Sequence, residues 1–232
     1  MTKADTHHSE DERFFFFYGL SMLVFIAVAF AGVALFKPEV LPPRSAVIVV
    51  HAVVMFGWFS LFVMQTHLIG RGNVRLHQRL GKASVVLAIA VVTTGILVML
   101  SAFARRGVGQ VAMLNTLAIV TFVIMYAAAI RTRRSPEYHK RLMLLGSVRM
   151  LPPAFTRMCL LLGVGQIWML GMLGVSVLAL IVYDWKRLGR VHPATIIGAV
   201  LIFAPLPLAI TVGASEEWAD LLRSMSSFVF GS

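Results

Sequence analysis

The chain has 232 residues, of which 59% are hydrophobic and only 13% charged, with a mean hydropathy of +0.85. A soluble domain carries roughly 25% charged residues, so this composition belongs to a membrane protein. The net charge of +11 would suggest nucleic acid in a soluble chain. Here the basic residues sit in short loops between apolar runs, where topology accounts for them and nucleic-acid binding is set aside. The single Cys159 excludes an intramolecular disulfide, a CxxC motif and a thiolate zinc site.

In chain order, residues 1–13 (MTKADTHHSEDER) read as a polar cytoplasmic tail. They are acidic rather than a basic n-region, and the apolar run behind them is too long for a signal h-region, so it reads as a retained first span. A span needs ~20 mostly apolar residues, and seven runs qualify: 14–36, 46–69, 84–104, 111–130, 142–164, 166–184 and 194–213. Backbone groups in lipid must be satisfied within a segment, and the runs lack barrel alternation, so all seven are expected to be helices. The expected fold is an all-α integral membrane protein of about seven transmembrane helices, a single bundle over 14–213.

Orientation follows from Lys and Arg in the short loops. The 70–83, 131–141 and 185–193 loops hold twelve, against five for Lys37, Arg44, Arg105, Arg106 and Arg223 on the other side. That bias predicts a cytoplasmic N-terminus, in a bacterial cytoplasmic membrane. The tail 214–232 reads as an amphipathic interfacial helix, capped by Ser215 with Glu216 and Glu217 in its first turn. Trp218, Leu221, Leu222, Met225 and Phe228 share one face of it, suited to anchoring.

The polar groups inside the apolar runs are few. Arg149 and Arg157 flank Pro152 and Pro153 in the fifth run. An Arg at membrane depth costs about 2.5–3.5 kcal/mol on insertion scales and faces a partner or a wet cavity. Between Arg13 and Ser215 the acids are Glu39, Glu137 and Asp184, all in loops or at segment ends. The two arginines are therefore expected to meet a bound anion, an end-of-helix acid, or carbonyls freed by the prolines. On an unbroken helix they lie about 80° and roughly 12 Å apart, with Arg149 the better placed to snorkel and Arg157 the harder to neutralise.

The second run carries a stripe, His51, Met55, Trp58, Phe62 and Gln65, on one helical face. His67 points about 160° away from His51 and sits about 24 Å along the axis. The basic loops echo one another: His77 and Arg79 match His139 and Arg141 in a His-x-Arg-Leu pattern, 62 residues apart with two spans between. An even number of spans gives both units one orientation, as in a parallel repeat about the membrane normal. Two such histidines suit the axial positions of a haem, and His67, His77, His139 and His192 offer ligands for zinc, iron or copper. Each also has a plain reading as a headgroup-level histidine. No HExxH, P-loop or carboxylate pair is present.

The order His51, Gln65, His77-Gln78-Arg79-Leu80-Gly81, then His139-Lys140-Arg141-Leu142-Met143, Arg149 and Arg157 resembles a family of uncharacterised bacterial polytopic membrane proteins. These show an HRxLG-like loop and an H-x-x-x-M segment leading into a span with Arg. The resemblance covers roughly 46–160, and departs from the pattern at Gln78, where Arg is usual, and at Leu142, where an aromatic is common. It implies a fold and a set of positions without a reaction.

Two functional expectations stand side by side. One is a redox or haem-binding protein: a haem b held by two of His51, His77 and His139, with Gln65 nearby, Arg149 or Arg157 on a propionate, and a quinone-like electron partner. The other is a non-enzymatic subunit that binds membrane lipid or helps assemble a membrane-protein complex, with lipid on the arginines. A metal-dependent enzyme using His67, His77, His139 and His192 on a lipid-like substrate is a further alternative.

Overall fold

The computed structural model describes residues 3–43 and 45–231, with side chains from Glu10 onward; Arg44, counted above among the outer charges, lies outside the described residues. Among the described residues all secondary structure is helical. The helices are α1 (Lys3–Phe36), α2 (Ala46–Gly70), α3 (Val74–Arg106), α4 (Gly109–Arg131), α5 (Pro136–Val148), α6 (Pro152–Leu162), α7 (Trp168–Leu188), α8 (Pro193–Phe203), α9 (Pro207–Thr211) and α10 (Glu216–Phe230). Six segments are long and apolar enough to cross a membrane: Glu10–Phe36, α2, α3, α4, α7 and Pro193–Ala214.

Three departures from the sequence reading have local causes. The segment read as a polar tail is helical from Lys3 and continuous with the first span. Two of the basic loops run into the starts of helices, α3 and α5. Asn73 Oδ1 accepts the Leu76 N–H at 3.1 Å, so α3 begins ten residues before the run expected at 84. The fifth run is two helices, not one kinked helix. Pro152 and Pro153 occupy the opening positions of α6, where a missing N–H does no harm, and α5 has already ended at Val148. Gly163, at φ 68°, then closes α6 in a left-handed conformation that a side chain would strain.

The described residues fall into two compact units, 1–91 with 151–175 and 92–150 with 176–232. In the first, α1 packs on α2 and α6. Phe25 meets Phe155 edge-on at 5.4 Å, and a Cβ at Gly19 would lie 2.8 Å from the Phe62 ring, so a bare backbone admits that ring. The stripe on α2 turns inward as its periodicity predicts: Trp58 and Phe62 are 2% and 7% exposed, against 67% for Val53 on the opposite face.

In the second unit, α4 packs on α5 and on the chain from α8 to α10. Leu222 of α10 is buried in a cluster with Met99, Leu100, Phe103 and Ala112. Ser215 caps α10 by accepting from the Trp218 N–H at 3.2 Å, and Trp218 Nε1 donates to the Gly109 carbonyl at 3.1 Å. The predicted apolar face is thereby divided: Leu222 and Trp218 dock on protein, while Leu221, Met225 and Phe228 stay 51%, 40% and 92% exposed. The docking depends on close approach, because a Cβ at Gly213 would lie 3.0 Å from Gln110 Cα and Met113 Cβ. Gly213→Val is expected to destabilise the unit by about 1–3 kcal/mol and to release α10, read as a red-shifted Trp218 emission and faster proteolysis after Ser215.

Candidate functional site

The first polar constellation lies in the second unit. Ser135 and Pro136 start α5, and one turn later Arg141 follows Glu137 at the i,i+4 spacing that joins opposite charges. Arg141 and Asp184 are 1% and 0% exposed. Arg141 Nε and Nη2 donate to Asp184 Oδ1 at 2.9 and 2.6 Å. Asp184 Oδ2 accepts from the His192 N–H at 3.0 Å and from Thr195 Oγ1 at 2.5 Å. Arg141 Nη1 reaches Glu137, whose other oxygen accepts from Lys140 Nζ at 2.6 Å. Both oxygens of Asp184 and all three nitrogens of Arg141 are thus occupied, and the cluster ties α5, α7 and α8 together. Two cations, Lys140 and Arg141, meet two carboxylates, Glu137 and Asp184, so the clamp is neutral without a ligand.

The charges of this clamp shape its titration. Burial pulls the Glu137 carboxyl upward, but hydrogen bonds from Lys140 and Arg141 outweigh it and hold the group below its ordinary 4.5. For His192, burial and then the nearby Arg141 hold the imidazole below its usual value; its Nδ1 accepts the Ala194 N–H at 3.1 Å, a bond that protonation would remove. A carboxylate with a depressed folded value contributes stability that is present above the unfolded value and lost as pH falls through the folded one. The melting-temperature gap between wild type and Glu137→Gln is therefore expected to hold from pH 6 down to the ordinary 4.5 and to close below it.

Arg149 is a different case. It caps the C-terminal end of α5 and is 2% exposed. Its Nη2 makes one long bond, 3.4 Å, to the Leu114 carbonyl, and its Nε has no partner. The sequence placed Arg149 nearer a snorkelling role and Arg157 nearer burial; the structure buries Arg149 and leaves Arg157 half-buried. Arg157 lies over the Phe30 ring at 4.1 Å and donates to the Pro153 carbonyl at 3.0 Å, with Lys37 Nζ on the Leu160 carbonyl one turn along α6. The carbonyl near the prolines serves Arg157, the end-of-helix acid serves Arg141, and Arg149 has neither.

The histidines are dispersed. Gly81 faces Gln65, and Gly57 faces Leu87, so α2 and α3 run antiparallel and His77 lies level with the end of α2. His51 stands near its start, about 25 Å away along the axis. These two cannot sit on either side of one iron, which removes the His51–His77 pair as axial ligands. His67 is exposed and stacks near Phe16 at 5.6 Å. His139 Nδ1 is 2.9 Å from the Ala129 carbonyl, and His192 meets Tyr138 edge-on at 4.8 Å. Among the described residues no three of His, Cys, Asp and Glu gather as a metal set, so His67, His77, His139 and His192 are not brought together as one.

The echo between the two basic segments holds for the start of each helix and no further. The His77 and His139 N–H groups each bond back to the capping residue, Asn73 or Ser135, at 3.1 Å. Arg79, however, is exposed where Arg141 is buried. Sequence reasoning missed Asp184 and Thr195 as polar core residues. The available signal was Asp184 itself, the one acid at the end of an apolar run, with Thr195 eleven residues on. No protein-family model matches the chain, and neither does any curated protein or solved structure.

Proposed function

We propose that this protein is a non-enzymatic, multi-pass subunit of a bacterial cytoplasmic membrane that holds an anionic amphiphile in its helix bundle, with the Arg149 guanidinium as counter-charge. Arg149 carries the reading. It is 2% exposed, and among the described residues its guanidinium makes one long hydrogen bond and no carboxylate pairs with it. An unpaired buried charge is strongly destabilising, and intramembrane arginines mark ligand or ion sites by default. A guanidinium selects carboxylate or phosphate, the groups that anionic lipids carry. The other buried charges are spent on the clamp around Asp184, which favours holding a ligand over moving a proton.

In this reading the chain crosses seven times, with α5 and α6 as the broken crossing and the N-terminus cytoplasmic. Arg141 is neutralised inside the fold, which leaves eleven inner charges against five, so the bias keeps its sign. The exposed Leu221, Met225 and Phe228 lie at the outer interface and anchor α10 there.

A second reading is a haem held by one histidine, with a propionate on Arg149 and a quinone-like electron partner. His139 favours it, because the Nδ1 contact with Ala129 fixes the ring as second-shell bonds fix ligating imidazoles. One preparation tests both. Protein from detergent-washed membranes is assayed for lipid phosphorus and for a Soret band. Wild type is expected to retain anionic lipid, and Arg149→Ala about one lipid per chain less, with Arg149→Lys in between. A Soret band lost in His139→Ala would move the assignment to haem. Equal lipid in wild type and Arg149→Ala, without a Soret band, contradicts both readings.

A further inference from the structure

The start of α1 and the end of α2 enclose an open cleft of about 300 Å³. Its charged walls are Arg13 from α1 and Arg71 just past α2, joined by His67, Thr66 and the Phe16 ring. Neither arginine is in an ion pair among the described residues. Arg71 sits where the C-terminal dipole of α2 favours a cation, its N–H bonded to the His67 carbonyl at 3.0 Å. The Thr66 hydroxyl donates inward to the Val63 carbonyl at 2.9 Å, so the donors facing the cleft are the two guanidiniums and the His67 ring. Glu12 is the one acid on the wall, so the cleft carries a positive excess. Its volume is at the lower end of the ~300–1,000 Å³ typical of small-molecule sites, the size of a headgroup rather than of a whole cofactor.

What runs away from the cleft is apolar. Phe17, Val24 and Val28 follow Arg13 by 4, 11 and 15 residues on the same face of α1, and they are 57%, 52% and 54% exposed. A ligand with a phosphate at Arg13 and hydrocarbon along that track matches both halves. We propose that this cleft binds the phosphate of an anionic membrane lipid, with Arg13 and Arg71 on its oxygens and acyl chain along Phe17, Val24 and Val28. The site lies within the first unit and does not rest on Arg149.

The test is a calorimetric titration of the full chain in uncharged detergent with dioctanoyl phosphatidylglycerol, alone and with inorganic phosphate as competitor. Arg13→Gln/Arg71→Gln is expected to weaken binding about tenfold or more. Arg75→Gln/Arg79→Gln removes the same charge from neighbouring exposed positions and is expected to leave binding unchanged. Gly70→Leu keeps both arginines but fills the cleft, since a Cβ there already lies 3.8 Å from Glu12 Oε2, and it is expected to match the double variant. Inorganic phosphate should fail to displace the lipid; displacement at equal concentration overturns the lipid assignment in favour of a free phosphate. Wild-type affinity in the Arg13/Arg71 variant, or an equal loss in the Arg75/Arg79 variant, overturns the site.

Discussion

Asp184→Ala is expected to lower stability by about 3–5 kcal/mol, because it removes the buried counter-charge of the Arg141 guanidinium and leaves only the partly exposed Glu137. The loss is larger than that of a surface pair because two other donors converge on the same carboxylate. The His192 N–H and Thr195 hydroxyl lose their acceptor together with two arginine nitrogens. The measurement is a thermal or denaturant melt in detergent. The double variant Arg141→Met/Asp184→Leu is the control: with both charges replaced by apolar groups of similar bulk, most of the loss should be recovered. A single variant within about 1 kcal/mol of wild type would mean that the clamp is not closed as described.

For Arg149→Met the sign of the effect is expected to depend on the ligand. In exhaustively delipidated protein the substitution removes an unpaired buried charge and should raise stability by roughly 2 kcal/mol or more. In membranes, wild type gains linkage stabilisation from the bound anion, about 2.7 kcal/mol at a hundredfold excess over Kd, which the variant forfeits. The melting-temperature difference between the two proteins should therefore cross zero as anionic lipid is added back. A difference of constant sign at every lipid content contradicts an anion at Arg149.

Much of the fold was legible because lipid imposes one rule on backbone polar groups. Uninterrupted apolar runs have to be helices, and the α2 stripe from His51 to Gln65 turns inward as its spacing predicts. The boundaries were less legible. A run of basic residues looks like a loop, whereas Asn73 and Ser135 make most of it the opening of a helix. The prolines announced an interruption in the fifth run without saying whether it was a kink or two helices. That choice was settled by where α5 ends, at Val148, four residues ahead of Pro152.

The polar site was harder to read. Sequence distance hides the 43 residues between Arg141 and Asp184, and an acid at the end of an apolar run looks like an interfacial residue until a facing helix buries it. The burial of Arg149 rather than Arg157 has the same origin. Both lie in one apolar stretch, and only packing separates a guanidinium over Phe30 from one enclosed beside Leu114. The histidines drew attention by their chemistry, yet antiparallel α2 and α3 put His51 and His77 at opposite ends.

The most direct test of the central claim is a native mass spectrum of the wild-type chain released from gentle detergent, beside that of Arg149→Ala. The account predicts at least one more anionic lipid on wild type than on the variant, retained at activation energies that strip zwitterionic lipid. Bare wild-type protein under the same conditions, or the same number of lipids on both proteins, would contradict it.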